Sequence, residues 1–163
     1  MRILGIDPGT GILGCGVVEV DDTRTGSFTM IDAGVVRTAP HTPHDERLED
    51  IFKSLTEIIE TNKPDVCSIE KLFFSRNITT AMTVAEARGV AILAARLHGM
   101  PIFEYTPPQI KQTLTGYGKA DKKQVQEMVR VQLGLKEVPK PDDCADALAA
   151  AITYAVMKRT NEV

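Results

Sequence analysis

Two short apolar runs that each stop on an acid constrain the fold of this chain more than any other feature. Residues 2 to 6, RILGI, are bounded by Asp7-Pro8-Gly9; residues 66 to 69, VCSI, follow Pro64-Asp65 and stop on Glu70. Runs of this length, bounded by turn residues, suit buried central strands. In an open α/β sheet, ligand sites gather at the carboxyl ends of such strands. Asp-Pro-Gly is also an ordinary turn sequence, so Asp7 alone says little. If the two strands are neighbours, however, Asp7 and Glu70 converge.

The intervening pattern supports such a sheet. After the glycine-rich turn GTGILGCG, residues 14 to 20 and 29 to 38 read as two strands separated by the polar stretch DDTRTGS, as in a hairpin. From His44 to Thr61 the period changes: Leu48, Ile51, Leu55, Ile58 and Ile59 recur at three- and four-residue intervals, one face of an amphipathic helix. Residues 79 to 98 form a helix rich in alanine that Gly99 ends, and 101 to 105 form a fifth strand. Polar helices are expected near 107 to 114 and 119 to 134. A last, alanine-rich helix starts where Asp142 or Asp143 can cap it and runs to about Lys158. This order predicts an α/β fold in one domain over 1–163, with a five-stranded mixed sheet flanked by helices: hairpin strands first, then parallel strands joined by helical crossovers.

The chain has 163 residues, 43% of them apolar, which is enough for one domain to bury a core without staples. Cys15, Cys67 and Cys144 are odd in number and form no CxxC pair, so a reducing cytoplasm is expected rather than a disulfide framework or a zinc site. The opening MRILGID reads as a strand and not as a leader, and no apolar run approaches the roughly 20 residues that cross a bilayer. The formal net charge is -3, yet residues 71 to 133 hold nine bases against four acids. That split is compatible with a basic face beside an acidic centre, able to attract phosphates despite the negative total; solvated helix faces give the same pattern.

Two more acids complete the acidic centre. Asp143 and Asp146 stand three apart at a helix start, which places both on one face. Capping and the helix dipole explain Asp143 equally well. Asp146 is harder to explain that way, because it lies in the apolar stretch CADALAAAI, where an unpaired carboxylate is costly to bury. Four converging carboxylates without a His-Cys cluster specify hard oxygen ligation, suited to magnesium or manganese. Two such ions, roughly 3.5 to 4 Å apart, serve phosphoryl-transfer nucleases by activating water and stabilising the leaving oxygen.

In GIDPGT at 5–10, IEKLFFSRN at 69–77, ARGVAI at 87–92, FEYTPPQIKQTLTGYGKADKKQVQ at 103–126 and PDDCADALAAAI at 141–152, the chain resembles the RuvC-type Holliday-junction resolvases over nearly its whole length. The resemblance implies a ribonuclease-H-like fold in which Asp7, Glu70, Asp143 and Asp146 bind two Mg2+ ions per subunit, with Mn2+ substituting. It selects Asp143 over Asp142 through the D-x-x-D-A-L-A spacing. Lys111 and Lys122 match basic positions near the scissile phosphate, where a cation offsets developing charge. Lys119 and Lys123 are expected to grip the DNA backbone. Phe73 and Phe74, beside Arg76 and Asn77, follow the Glu70 strand; an exposed aromatic there can stack on an unpaired base, and the resemblance selects Phe73. Lys71 departs from the family pattern, which often has glutamine there.

The implied activity is symmetric, paired nicking of four-way junction DNA by a homodimer, in recombination and repair, with RuvA and RuvB as partners. The small-residue helix 79–98 is the candidate dimer interface. A catalytically inactive junction-binding scaffold of the same fold is the alternative, since fold does not guarantee activity. The DPGT turn also resembles the phosphate loop of the actin and sugar-kinase superfamily, but 163 residues leave no room for that fold's two domains.

Overall fold

The computed structural model describes residues 1–21, 27–72 and 78–161. Five strands, β1 (Arg2–Asp7), β2 (Ile12–Val20), β3 (Phe28–Arg37), β4 (Val66–Glu70) and β5 (Ile102–Tyr105), form one sheet in the order β3-β2-β1-β4-β5. The first three pair antiparallel, and β4 and β5 add parallel to β1. The expected mixed sheet is therefore present, with β1 and β4 as neighbours.

Alternation along the strands divides the core in two, because successive side chains point to opposite faces. Leu4, Ile6, Leu13, Cys15, Val17 and Ile69 pack against α1 (His44–Asn62) and α2 (Ile78–Leu97) on one face. Ile3, Val18, Val20 and Val66 pack against α3 (Pro107–Thr115), α4 (Lys122–Gln132) and α5 (Asp142–Asn161) on the other. The face read from the period of α1 is the one that is buried: Ile51, Leu55 and Ile59 are enclosed, with Leu48 and Ile58 packed beside them. All three cysteines are free and buried.

Two helix starts differ from expectation. The helix expected from 119 begins at Lys122, because Asp121 and Gln124 form a reciprocal capping box that leaves Lys119 in the preceding turn. It ends at Gln132, with Gly134 in the left-handed conformation just beyond. Asp142 and Asp143 both stand inside the first turn of α5 rather than preceding it as a cap. There they complement the positive end of the helix dipole.

Candidate active site

Strand parity decides which face each acid takes. In β1, Leu4 and Ile6 turn to the α1/α2 side, while Ile3 joins the α5-side core and Gly5 lies directly under Ala147 of α5, so Asp7 falls on the α5 side. In β4, Cys67 and Ile69 turn away, whereas Ser68 donates to the Ala150 carbonyl of α5 at 2.6 Å, so Glu70 also faces α5. Ile6 pairs with Ile69, which makes Asp7 and Glu70 the next residues in register. Their backbones are one strand spacing apart, about 4.8 Å.

Glycines bring α5 down onto this row. Asp7 pairs with Gly14 of β2, and a Cβ at Gly14 would collide with the Asp143 carbonyl oxygen and lie 3.2 Å from the Asp143 Cβ. A Cβ at Gly5 would collide with the carbonyl of Ala147, and one at Gly16 would come within 2.7 Å of Leu148 Cδ2. The absence of three side chains lets the helix backbone approach the sheet closely. The result is a row of Glu70, Asp7 and Gly14 across the sheet edge, with Asp143 over Gly14 and Asp146 about one turn further along α5.

The electrostatics follow from this convergence. Burial, reinforced by Glu70, Asp146 and Asp143 and partly offset by Lys122, pushes the Asp7 carboxyl up to about 8. Burial also raises Glu70, with Asp146 adding to the effect and Lys111 and Lys122 opposing it. Asp146 is raised by burial, against the hydrogen bond from Lys122. Lys122 Nζ lies 2.9 Å from Asp146 Oδ2 and 3.7 Å from Asp142 Oδ2. The bond to Asp146 raises the ammonium above its ordinary value.

Beside these acids is a cavity of about 210 Å3 lined by Glu70, Asp146, Lys111 and Lys122, with Ile110 and Val125 as apolar walls. Lys111 and Lys122 thus reach the same cavity from α3 and α4. Lys119 is exposed in the turn before α4 and Lys123 is exposed in its first turn, on either side of Lys122. Asp142 is held elsewhere, by Lys140 at 2.9 Å. Lys71 is exposed, its backbone N–H donating to the Tyr105 carbonyl. Phe73, Phe74 and Arg76 lie outside the described residues.

The donor set is all oxygen, desolvated and mutually repelling, which fits a hard divalent cation. Among the described residues no three His, Cys, Asp or Glu side chains close around one point. Lys122 bonds Asp146 in this arrangement, and the carboxylates share one sheet edge without closing on a point.

One supporting residue lies in the ARGVAI segment, but nothing in the sequence links it to the site. Arg88 of α2, with a side chain only 15% exposed, donates from Nε to the Glu70 carbonyl at 3.1 Å and places NH2 3.1 Å from Glu104 of β5. It ties the end of β4 to α2 and β5 and holds Glu70 in line. No spacing rule links positions 70 and 88, so only the fold reveals the contact. If the carboxylate row binds a divalent cation for catalysis, Arg88→Met is expected to weaken that activity about 10- to 100-fold through a higher cation requirement, as loss of outer-shell support does. A divalent-cation titration of the rate checks this; an unchanged half-saturation would exclude a positioning role.

A mixed sheet in this order, with acids ending β1 and β4 and two more on the helix packed across them, has the α/β architecture of the ribonuclease-H-like class, in which an acidic edge suits metal-dependent nuclease chemistry. Comparison with known proteins narrows the class. The family model "Crossover junction endodeoxyribonuclease RuvC" matches residues 3–154, and the chain belongs to that family. The Brevibacillus brevis RuvC is 54% identical over 155 residues, covering 95% of this chain and 92% of the relative. The Thermus thermophilus RuvC structure superposes with a TM-score of 0.91 at 40% identity, covering 99% and 97% of the two chains. T. thermophilus RuvC in complex with a Holliday junction substrate gives 0.89 at 38%, covering 98% and 96%.

Proposed function

We propose that this chain is a structure-specific endonuclease that resolves four-way DNA junctions by paired, symmetric nicks near the crossover, in recombination and repair. The observation that carries the reading is the row of carboxylates on the α5 face, flanked by Lys111 and Lys122, in a chain similar over nearly its full length to a RuvC solved with a Holliday junction. Asp7, Glu70, Asp143 and Asp146 are the residues that would hold two Mg2+ ions per subunit, with Mn2+ as a substitute. Bound there, the ions supply an activated water and charge stabilisation for an in-line displacement. Lys111 and Lys122 line the cavity where the scissile phosphate enters and offset the charge that develops on it. Lys119 and Lys123 hold the flanking backbone. Phe73, Phe74 and Arg76 contact bases at the crossover.

Two nicks need two sites, and α2 supports a homodimer. Its Ala87, Ala91, Ala94 and Ala95 are packed into the chain's own core, so the small-residue face does not itself meet a partner. The opposite face leaves Met82, Leu93 and Leu97 at 62%, 52% and 66% exposure, with open space over Gly89. These positions share one helical stripe. Leu93→Glu is expected to shift the protein to monomer in sedimentation at micromolar concentration and to uncouple the two nicks, whereas an unchanged dimer would move the interface elsewhere. RuvA and RuvB as branch-migration partners, and a cytoplasmic location, complete the reading. Among the described residues, no helix is long and apolar enough to cross a membrane.

The deciding experiment incubates the protein with a labelled mobile four-way junction and a matched linear duplex, with magnesium and with chelator. Paired, metal-dependent nicks in the junction alone are expected. Tight junction binding without cutting would favour the inactive scaffold instead.

A further inference from the structure

On the β3 side of the same sheet edge, away from Lys111 and Lys122, lies an open groove of about 620 Å3 lined by Gly11, Ile12, Arg37, Thr38, Pro40 and Arg47. It is built from the turn that follows Asp7, the end of β3 and the start of α1. Arg47 is held in it: its Nε donates to Thr38 Oγ1 at 2.8 Å, and Thr38 Oγ1 donates to the Thr10 carbonyl at 2.6 Å. The Thr38 N–H bonds the Gly11 carbonyl at 3.2 Å, closing β3 onto the turn. Arg47 NH2 lies over Gly11, 3.5 Å from where a Cβ would stand. The guanidinium is therefore fixed by one nitrogen and presents its remaining N–H groups to the groove.

Arg37 ends β3, paired with Ile12, and is exposed. Among the described residues neither arginine has a carboxylate within ion-pair distance; the neighbouring Asp45 and Glu46 are exposed and pair with neither. An ordered guanidinium without an anion, beside a second one in a groove of this size, suits a bidentate phosphate contact. Thr10 Oγ1, in the same turn, is buried without a hydrogen-bond partner.

We propose that Arg37 and Arg47 form a second phosphate clamp that grips the DNA backbone on the side of the carboxylate row opposite the lysines. The inference rests on the nuclease reading given above. β3 lies two strand spacings from β1, about 10 Å, which is between one and two phosphate-to-phosphate steps of roughly 6–7 Å along a strand. The clamp would thus take a phosphate about one to two nucleotides from the scissile one and set the direction in which the strand crosses the site. The ligand is a DNA phosphodiester, read without regard to base.

The test measures junction and linear-duplex binding in chelator across a salt series for the parental protein, Arg37→Gln, and Arg37→Gln/Arg47→Gln. Among the described residues the Arg37 side chain makes no hydrogen bond or ion pair, so the single variant separates binding from folding. Each change is expected to weaken binding about tenfold and to lower the salt slope by about one. Neutral methylphosphonate linkages one to three nucleotides from the cut should weaken the parental complex and leave the double variant's affinity unchanged. Parental affinity and salt slope in both variants, or equal sensitivity to the neutral linkages, would overturn the clamp. Failure of the parental protein to cut junctions would overturn the junction reading alone, because the variant-to-parent ratio on linear duplex still reports the groove.

Discussion

Replacing Asp7 with Asn is expected to reduce junction cleavage by at least about 1000-fold if Asp7 is a metal ligand as proposed, since such a ligand supplies several kcal/mol of transition-state stabilisation. The same change should stabilise the metal-free protein at neutral pH. Asp7 is drawn to about 8 chiefly by burial and then by Glu70, Asp146 and Asp143. A carboxyl whose folded value exceeds its unfolded value holds its proton more tightly when folded. The penalty is absent below about pH 4, grows between pH 4 and 8, and is complete above pH 8. At about 1.4 kcal/mol per pKa unit it has an upper bound on the order of 5 kcal/mol, which relaxation reduces.

Thermal melts in chelator from pH 5 to pH 8 check this. The gap between Asp7→Asn and the parent should widen as pH rises, and magnesium should raise the melting temperature of the parent far more than that of the variant. A gap that does not change with pH would mean that Asp7 is not held buried among like charges. Glu70 and Asp146 are raised as well and act in the same direction.

Gly14→Ala carries the second large effect. Its Cβ would meet the Asp143 carbonyl oxygen, a backbone atom that can move only if α5 moves. Overpacking of this kind destabilises by about 1–3 kcal/mol or more. Because the displaced residue sits in the row with Asp7, cleavage should fall by about 100-fold even in the folded fraction, as small misplacements at reacting centres do. Gly34→Ala is the control: the same strand pair carries it, yet nothing lies within 4 Å of its Cβ, and its stability and cleavage should stay near parental values. If the two variants behave alike, the approach of α5 is not governed by the glycines.

Much of the site is legible in the order of the residues. Asp7 and Glu70 announce themselves because each ends an apolar run, and Asp146 because a carboxylate inside CADALAAAI needs a partner. The α1 stripe is legible for the same reason: helical and extended periods are local properties, written in residues three, four or two apart. The start of α4 is also written locally, in Asp121 and Gln124, but the basic run around it places the expected boundary three residues early.

The type and order of the elements, the acidic chemistry and, through its motifs, the family are all written in the chain itself. Proximity is not. That β1 and β4 are neighbours, that Gly14 admits Asp143 beside Asp7, that Arg88 grips the Glu70 carbonyl, and that Arg37 and Arg47 share one groove are products of the folded packing. The alanines of α2 make the same point, since composition could not say that their face would be taken by the chain's own sheet. Local patterns encode which way a side chain faces along its own element. Which residues face one another depends on strand order, register and how closely a helix can approach, and these are set by packing over the whole core.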